Sequence, residues 1–499
     1  MSSKTVIVKT IPEYPQFPYS PHQKYPEYSF SDISENSNYV YEAIRESFKS
    51  LDLDILNFGK ENWNPLGEIV APGNVVLIKP NWVRDFNGSN SSIDSLVTHT
   101  SFLRCIIDYV LIALKGRGKI ILADAPIQEC NFENLKQKLK LEELLKFYQK
   151  ENINVPIEIK DWRLTILKKK IIANKFIDFY DQEHIDNEEN FYLIDLKEES
   201  FFSEINPKYY DILRVTMYNP KLLLSHHKEK KHEYLITKDI FECDVFINLS
   251  KMKTHKKAGL TASLKNIVGI NGHKEFLPHH RKGSKNEGGD AYFKKCYLKR
   301  IYENIYDYYW ERFEKSSWFK NIFLRIILKA LLKVSKFLCK DQIHEGNWMG
   351  NDTIWRTILD LNKILFQYDP SMGGFRKSNR EKILNITDGI IAGEGEGPLS
   401  PSDKKTGIVT LSFNPAINDL AISKLMGYDP YKIPTIYNAF YNEKSPFFDS
   451  EIIAKGLNNT EIVFLEKERS FLKAIIKIED LPNLKFKPPK FWREAMAKL

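Results

Sequence analysis

The sequence predicts an α/β protein: a parallel-sheet core of βαβ units with a second α/β domain and a helical insertion. Three observations carry that expectation. A strand, a helix and a strand follow one another between residues 74 and 123; a third apolar strand at Asp244–Leu249 leads straight into the most basic stretch of the chain; and strand and helix signals resume after residue 382.

Taken in order, residues 1–38 form an irregular arm, since residues 11–38 are rich in Pro, Tyr and Ser and hold no sustained period. Asn74–Lys79 (NVVLIK) follows Pro72-Gly73 and has the short apolar run of a buried strand. Thr100 and Ser101 can cap a helix in which Leu103, Ile106, Ile107, Val110 and Leu114 recur at helical spacing up to Gly116. Lys119–Ala123 (KIILA) is the next buried strand. This βαβ unit requires a parallel sheet covered by helices. Residues 131–230 yield no functional pattern. In open α/β sheets ligands gather beyond the carboxyl ends of strands, and Lys79-Pro80-Asn81, Asp124 and Lys251–His255 all stand at such ends.

Between Tyr302 and Cys339, Lys320, Arg325, Lys329, Lys333 and Lys336 recur every three to five positions among apolar residues, which builds a cationic stripe on an amphipathic helix. A transmembrane span needs about 20 nearly uncharged residues, so none is expected. A surface helix packed on the body fits, as does a peripheral membrane or protein contact through residues 318–338. After Gly346, Lys382–Ala392 reads as a strand and turn containing Asp388-Gly389. Gly393, Gly395, Gly397 and Pro398 then read as a flexible loop, Gly407–Leu411 as a strand, and Ile417–Met426 as a helix closed by Gly427. The expected organisation is an arm (1–38), an α/β domain with the basic site (39–300), a helical insertion (301–345) and a C-terminal α/β domain with the glycine loop (346–499).

With 42% hydrophobic and 28% charged residues over 499 positions, disorder and fibre are excluded. Five cysteines lie far apart with no C-x-x-C pair, which argues against an iron–sulfur cluster, a zinc ribbon or a disulfide framework. No apolar signal-peptide core follows the N-terminus, so a cytoplasmic location is expected. A net charge of +8 is small for this length, and no nucleic-acid motif accompanies it, so nucleic acid is not an expected partner. The charge is instead concentrated. Nine Lys/Arg fall between Lys251 and Lys285, with Glu275 as the acid inside, and seven of the 11 histidines fall between His226 and His280.

Those residue types point to an anion site. Gly259 lets backbone approach a ligand, Thr261 can cap a helix, and Lys265 then lies one turn inside it, near free N–H groups and a positive dipole end. Lys79, Lys253 and Lys265 would neutralise a carboxylate or phosphate. His255 would be the general acid/base, because imidazole titrates near working pH. His279 or His280 would serve as metal ligand or second proton carrier, which leaves a divalent metal open as cofactor. Asp388, Glu394 and Glu396 could orient a substrate or hold Mg²⁺, which prefers oxygen ligands, and the glycines Gly395 and Gly397 would let a loop close over the ligand. The glycine loop is neither a P-loop nor G-x-G-x-x-G, so a nucleotide fingerprint is rejected.

The same blocks resemble the family known as domain of unknown function 362. The likeness rests on Lys79-Pro80-Asn81, on Lys251-x-Lys253-Thr254-His255 with Gly259-Leu260-Thr261, and on Leu264-Lys265-Asn266-x-x-Gly269. Asp388-Gly389, Gly395-x-Gly397-Pro398, Asn414-Pro415, Asp419 and Gly427-Tyr428-Asp429-Pro430 complete it. The resemblance implies a shared fold and a pocket to which Asn266 and Asp419 belong. Some members carry appended ferredoxin-like cysteine motifs; this chain has none. More faintly, His255, Lys265 and His279 or His280 are similar in order to a stretch of nickel-pincer lactate racemases. That likeness implies a modified-nicotinate cofactor touched by Lys265 and a metal on His279 or His280. The chain departs from it at Ala123-Asp124-Ala125-Pro126, where the racemases carry a catalytic histidine. The expected function is an enzyme that binds a small anionic substrate or cofactor between the two domains; the alternative is a metal or cofactor carrier without catalysis of its own.

Overall fold

In the computed structural model, which describes residues 4–172, 177–313, 318–468 and 470–497, ten strands join in one mixed sheet. They are β1 (Thr5–Lys9), β2 (Val75–Pro80), β3 (Lys119–Asp124), β4 (Ile157–Asp161), β5 (Val245–His255), β6 (Gly259–Thr261), β7 (Ile383–Glu396), β8 (Ser400–Ser412), β9 (Glu461–Lys467) and β10 (Phe471–Lys477). The order is β10-β9-β1-β8-β7-β5-β2-β3-β4, with β6 folded back on β5. The run β7-β5-β2-β3-β4 is parallel throughout, as the βαβ signals require. The hairpin partners β8 and β10 are antiparallel to their neighbours.

The main helices are α1 (Tyr39–Ser50), α2 (Thr100–Leu114), α3 (Ser263–Asn266), α4 (Tyr297–Glu311), α5 (Trp318–Leu338), α6 (Ile354–Gln367) and α7 (Pro415–Leu425). Side chains alternate across a strand, so each strand feeds two cores. Val76, Ile78, Ile120, Leu122, Ile247 and Leu249 face α1 and α2. Leu77, Ile121, Phe246 and Ile383 face α6 and α7. The chain is therefore a three-layer α/β structure. The cap of α2 is His99, whose Nδ1 accepts the Ser101 N–H, one residue before the predicted Thr100.

Strands from the predicted arm and from both predicted α/β segments lie in this single sheet. β1 comes from the arm and is enclosed between β8 and β9, because Val6, Ile7 and Val8 are all apolar and serve both faces. Residues 11–38 carry neither helix nor strand. The third strand runs on from the predicted Leu249 to His255, so Lys251, Lys253 and His255 are strand residues. The predicted glycine loop is likewise strand: Gly393 and Gly395 pair in β7, and the turn to β8 is made at Gly397-Pro398, joined by a cis peptide bond. Gly397 is needed there because a Cβ would sit 2.0 Å from the Thr254 carbonyl oxygen. Cys296 and Cys339 are paired, with Cα atoms 6.2 Å apart, tying the start of α4 to the end of α5; wide sequence spacing did not foretell it. Among the described residues no helix is long and apolar enough to cross a membrane.

Candidate functional site

Beyond the carboxyl ends of β2, β3 and β5 lies a cavity of about 380 Å³. Eight residues singled out from the sequence line it: Lys79, Asn81, Asp124, Lys253, His255, Lys265, Asn266 and His279; Gly397 and Glu396 reach its edge from the β7–β8 turn. Parallel register explains the gathering. Asn248 of β5 pairs with Lys79 of β2, and β2 pairs in turn with β3, so three strands deliver their ends side by side.

An amide ladder holds the lysines. Lys253 Nζ donates to Asn81 Oδ1 at 2.8 Å and also to the Leu96 carbonyl. Asn81 Nδ2 donates to Asn266 Oδ1 at 2.9 Å, Asn266 Nδ2 to Asn248 Oδ1 at 2.8 Å, and Asn248 Nδ2 to Asn385 Oδ1 at 2.8 Å. Lys79, fully buried, pairs with Asp124 at 2.7 Å. Asp124 is itself fixed by the backbone N–H groups of Trp82 and Ala125. Gly269 packs directly on this pair: a Cβ there would lie 2.0 Å from Asp124 Oδ1 and 2.8 Å from Lys79 Nζ.

Six lysines line the cavity, and only Lys79 and Lys256 are ion-paired among the described residues, with Asp124 and with Glu396 at 3.1 Å. Lys274 donates to the Ala125 carbonyl at 2.9 Å and Lys257 to Thr216 Oγ1 at 3.2 Å, both neutral acceptors. Lys265 has no hydrogen bond or ion pair from its Nζ to any described residue. Burial in a crowd of like charges disfavours the ammonium form. Desolvation, then Lys274 and Lys79, brings Lys265 down to about 7. Desolvation brings Lys257 and Lys274 to about 8, and it pushes Lys253 well below its ordinary value. The Thr261 hydroxyl, also on the cavity wall, is buried without a partner.

The two histidines on the wall are fixed in opposite tautomers. His255 Nδ1 accepts the backbone N–H groups of Lys257 at 3.1 Å and Ala258 at 3.0 Å, which assigns the ring proton to Nε2. His279 Nδ1 lies 2.6 Å from the Leu277 carbonyl oxygen, to which it must donate, so its Nε2 carries the free lone pair. Desolvation, with Lys265 next, keeps both rings neutral by holding their pKa well below the usual value. His255 thus presents a donor, and His279 an acceptor or base.

Other predicted residues stand elsewhere. Asp388 is fully buried against Lys251 at 2.9 Å and accepts from Tyr14 Oη at 2.7 Å. Glu394 accepts the Lys487 N–H, and Gly395 N donates to the Lys487 carbonyl at 2.7 Å, so this edge of the hairpin is stitched to the C-terminal segment. Asp419 accepts the N–H groups of Ser263 at 2.7 Å and Leu264 at 3.0 Å. The helix start expected to hold an external anion is the four-residue α3, and it already holds this internal one. Desolvation raises the Asp419 carboxyl to about 7. His280 lines a smaller neighbouring cavity, 3.5 Å from Lys257 Nζ, and does not share the wall with His279. Among the described residues no group of three or more His, Cys, Asp or Glu side chains is arranged to hold a metal ion. Asp388, Glu394 and Glu396 therefore do not converge as a site for Mg²⁺.

Sequence reasoning did not single out Lys257, Lys274, Tyr218 or Glu345 on this wall. The two lysines carried a signal, since both belong to the basic run. Tyr218 and Glu345 carried none, because they come from segments distant in the chain and only the fold brings them in.

Residues 209–424 match the family model described as "Domain of unknown function (DUF362)". That stretch of the chain is similar to the DUF362 domain. The matched stretch holds β5, α3, His279 and β7, and leaves Lys79 and Asp124 outside it. No curated protein and no solved structure matches the chain.

Proposed function

We propose that this protein is an enzyme that binds a small carboxylate or phosphate in the lysine-lined cavity and moves a proton at it. One observation carries the reading: Lys253, Lys257, Lys265 and Lys274 surround a desolvated space and form no ion pair with any described residue, with Asp124 and Glu345 on the wall offsetting their charge only in part. A partly neutralised cluster of this kind is costly in isolation, and an anion that enters it is held by charge-assisted hydrogen bonds in low dielectric. His255 Nε2–H and the Thr261 hydroxyl add neutral donors that fix orientation.

The residues divide the chemical work. His255, with Nδ1 already occupied, orients and polarises the anion rather than shuttling its proton. Lys265 is the proton carrier, since an amine near 7 can take up and return a proton at working pH. His279, kept neutral by burial and by Lys265, offers its free Nε2 lone pair as a hydrogen-bond acceptor that orients the ligand. The metal form of the carrier alternative needs converging ligands, which the described residues do not offer; a cofactor carrier would bind in the same cavity without turnover. The test is thermal-shift screening of the full chain against small carboxylates and phosphates, followed by turnover of whatever binds. Lys265→Ala should abolish turnover and leave the circular dichroism spectrum unchanged. Full turnover by that variant would refute its role.

A further inference from the structure

The helical hairpin of α4 and α5 has one face too many. On the inner side Leu328 is buried with Tyr302, Tyr309 and Trp310 of α4, and Leu324, Leu331 and Leu332 pack beside them. On the outer side Phe323 is 64% exposed, Ile326 58% and Phe337 81%, and Val334 and Leu338 are exposed with them. The positions Phe323, Ile326, Ala330, Val334 and Phe337 recur at three- and four-residue steps, which makes a single stripe along the helix. Tyr297, 78% exposed, continues it at the end where the Cys296–Cys339 bridge ties α4 to α5. Lys329 and Lys333 border the stripe, Lys340 follows the helix end, and no acidic residue occurs between 318 and 340.

The charge decides what covers this face. A second copy of the chain would set one lysine border against another, which repels. A layer of anionic headgroups accepts the lysines while the acyl region beneath takes the apolar stripe. We infer that the outer face of α5 lies in the surface of an anionic lipid bilayer, parallel to its plane, and docks the protein there without crossing it. This docking is independent of the cavity chemistry.

Vesicle co-sedimentation of the full chain tests it, with phosphatidylcholine alone against phosphatidylcholine containing about 30% phosphatidylglycerol as the source of surface charge. The chain should pellet with the anionic vesicles, and raising salt from about 0.1 to about 0.5 M should weaken that binding. Replacing two lysines, Lys329→Ala with Lys333→Ala, should reduce partitioning roughly 25-fold, about fivefold for each charge removed. Phe323→Ser with Phe337→Ser should abolish it while the circular dichroism spectrum and sulfate binding at the cavity stay unchanged. No partitioning onto anionic vesicles, or partitioning by both double variants equal to that of the unaltered chain, would overturn the inference. So would light scattering that finds a dimer which Phe323→Ser with Phe337→Ser converts to a monomer.

Discussion

Anion binding at the cavity must draw protons from solution, and the amount follows from the lysines. With Lys265 near 7 and Lys257 and Lys274 near 8, these three lysines at pH 7.5 together lack about one proton relative to full ammonium groups, and Lys253, also lowered by burial, adds to that deficit. A bound dianion restores those ordinary values, so the site fills. Sulfate is a suitable probe because it does not itself titrate in this range. Calorimetric titration in buffers of different ionisation enthalpy should give an uptake of about one proton or more per sulfate at pH 7.5, and a smaller uptake at pH 6. Lys265→Met should remove about three-quarters of a proton from the uptake at pH 7.5. At pH 6, where the wild-type ammonium is already formed, it should weaken binding by roughly ten- to a hundredfold, the worth of one charge-assisted hydrogen bond. Sulfate binding without proton uptake at pH 7.5, or uptake untouched by Lys265→Met, would refute this reasoning.

Three further outcomes follow from the same geometry. Asp124→Ala strands the fully buried Lys79 and should cost about 3–5 kcal/mol by urea denaturation, whereas Asp124→Leu combined with Lys79→Met should cost less than Asp124→Ala alone. The ligand-free protein should gain stability as pH rises from 7 to 9. The folded pKa of Lys265 lies below its unfolded value, so the unfolded chain binds more protons across that window. Lys265→Met should therefore flatten the rise in unfolding free energy by about 2 kcal/mol over those two pH units. Asp419→Ala leaves the N–H groups of Ser263 and Leu264 without acceptors and should destabilise the protein by about 2–3 kcal/mol, while sulfate affinity of the folded fraction stays within about twofold.

The parallel core was legible because buried strands are short apolar runs and a helix between two of them leaves few topologies. NVVLIK, KIILA and DVFINL became β2, β3 and the first part of β5. What escaped was the continuation of β5. Lys251, Lys253 and His255 read as a turn beyond the strand end, because charged side chains are not expected inside a buried strand; they stay in the sheet because Asp388 and Asn81, from distant parts of the chain, and the N–H groups of Lys257 and Ala258 answer them. Asp419 and His280 mark the same limit in the site. Both stand close in sequence to residues of the right type, yet Asp419 is consumed by α3 and His280 opens on the adjoining cavity. The glycines after Ile391 suggested mobility, but in strand they permit close packing: a Cβ on Gly393 would meet Lys253 Cβ at 2.8 Å.

Crystals of the full chain soaked in selenate would locate the anion by its anomalous signal. The account predicts a peak inside the cavity within hydrogen-bonding distance of Lys265 Nζ and His255 Nε2, lost in Lys265→Met crystals grown alike. Selenate bound only outside the cavity, with the lysine cluster holding water alone, would contradict it.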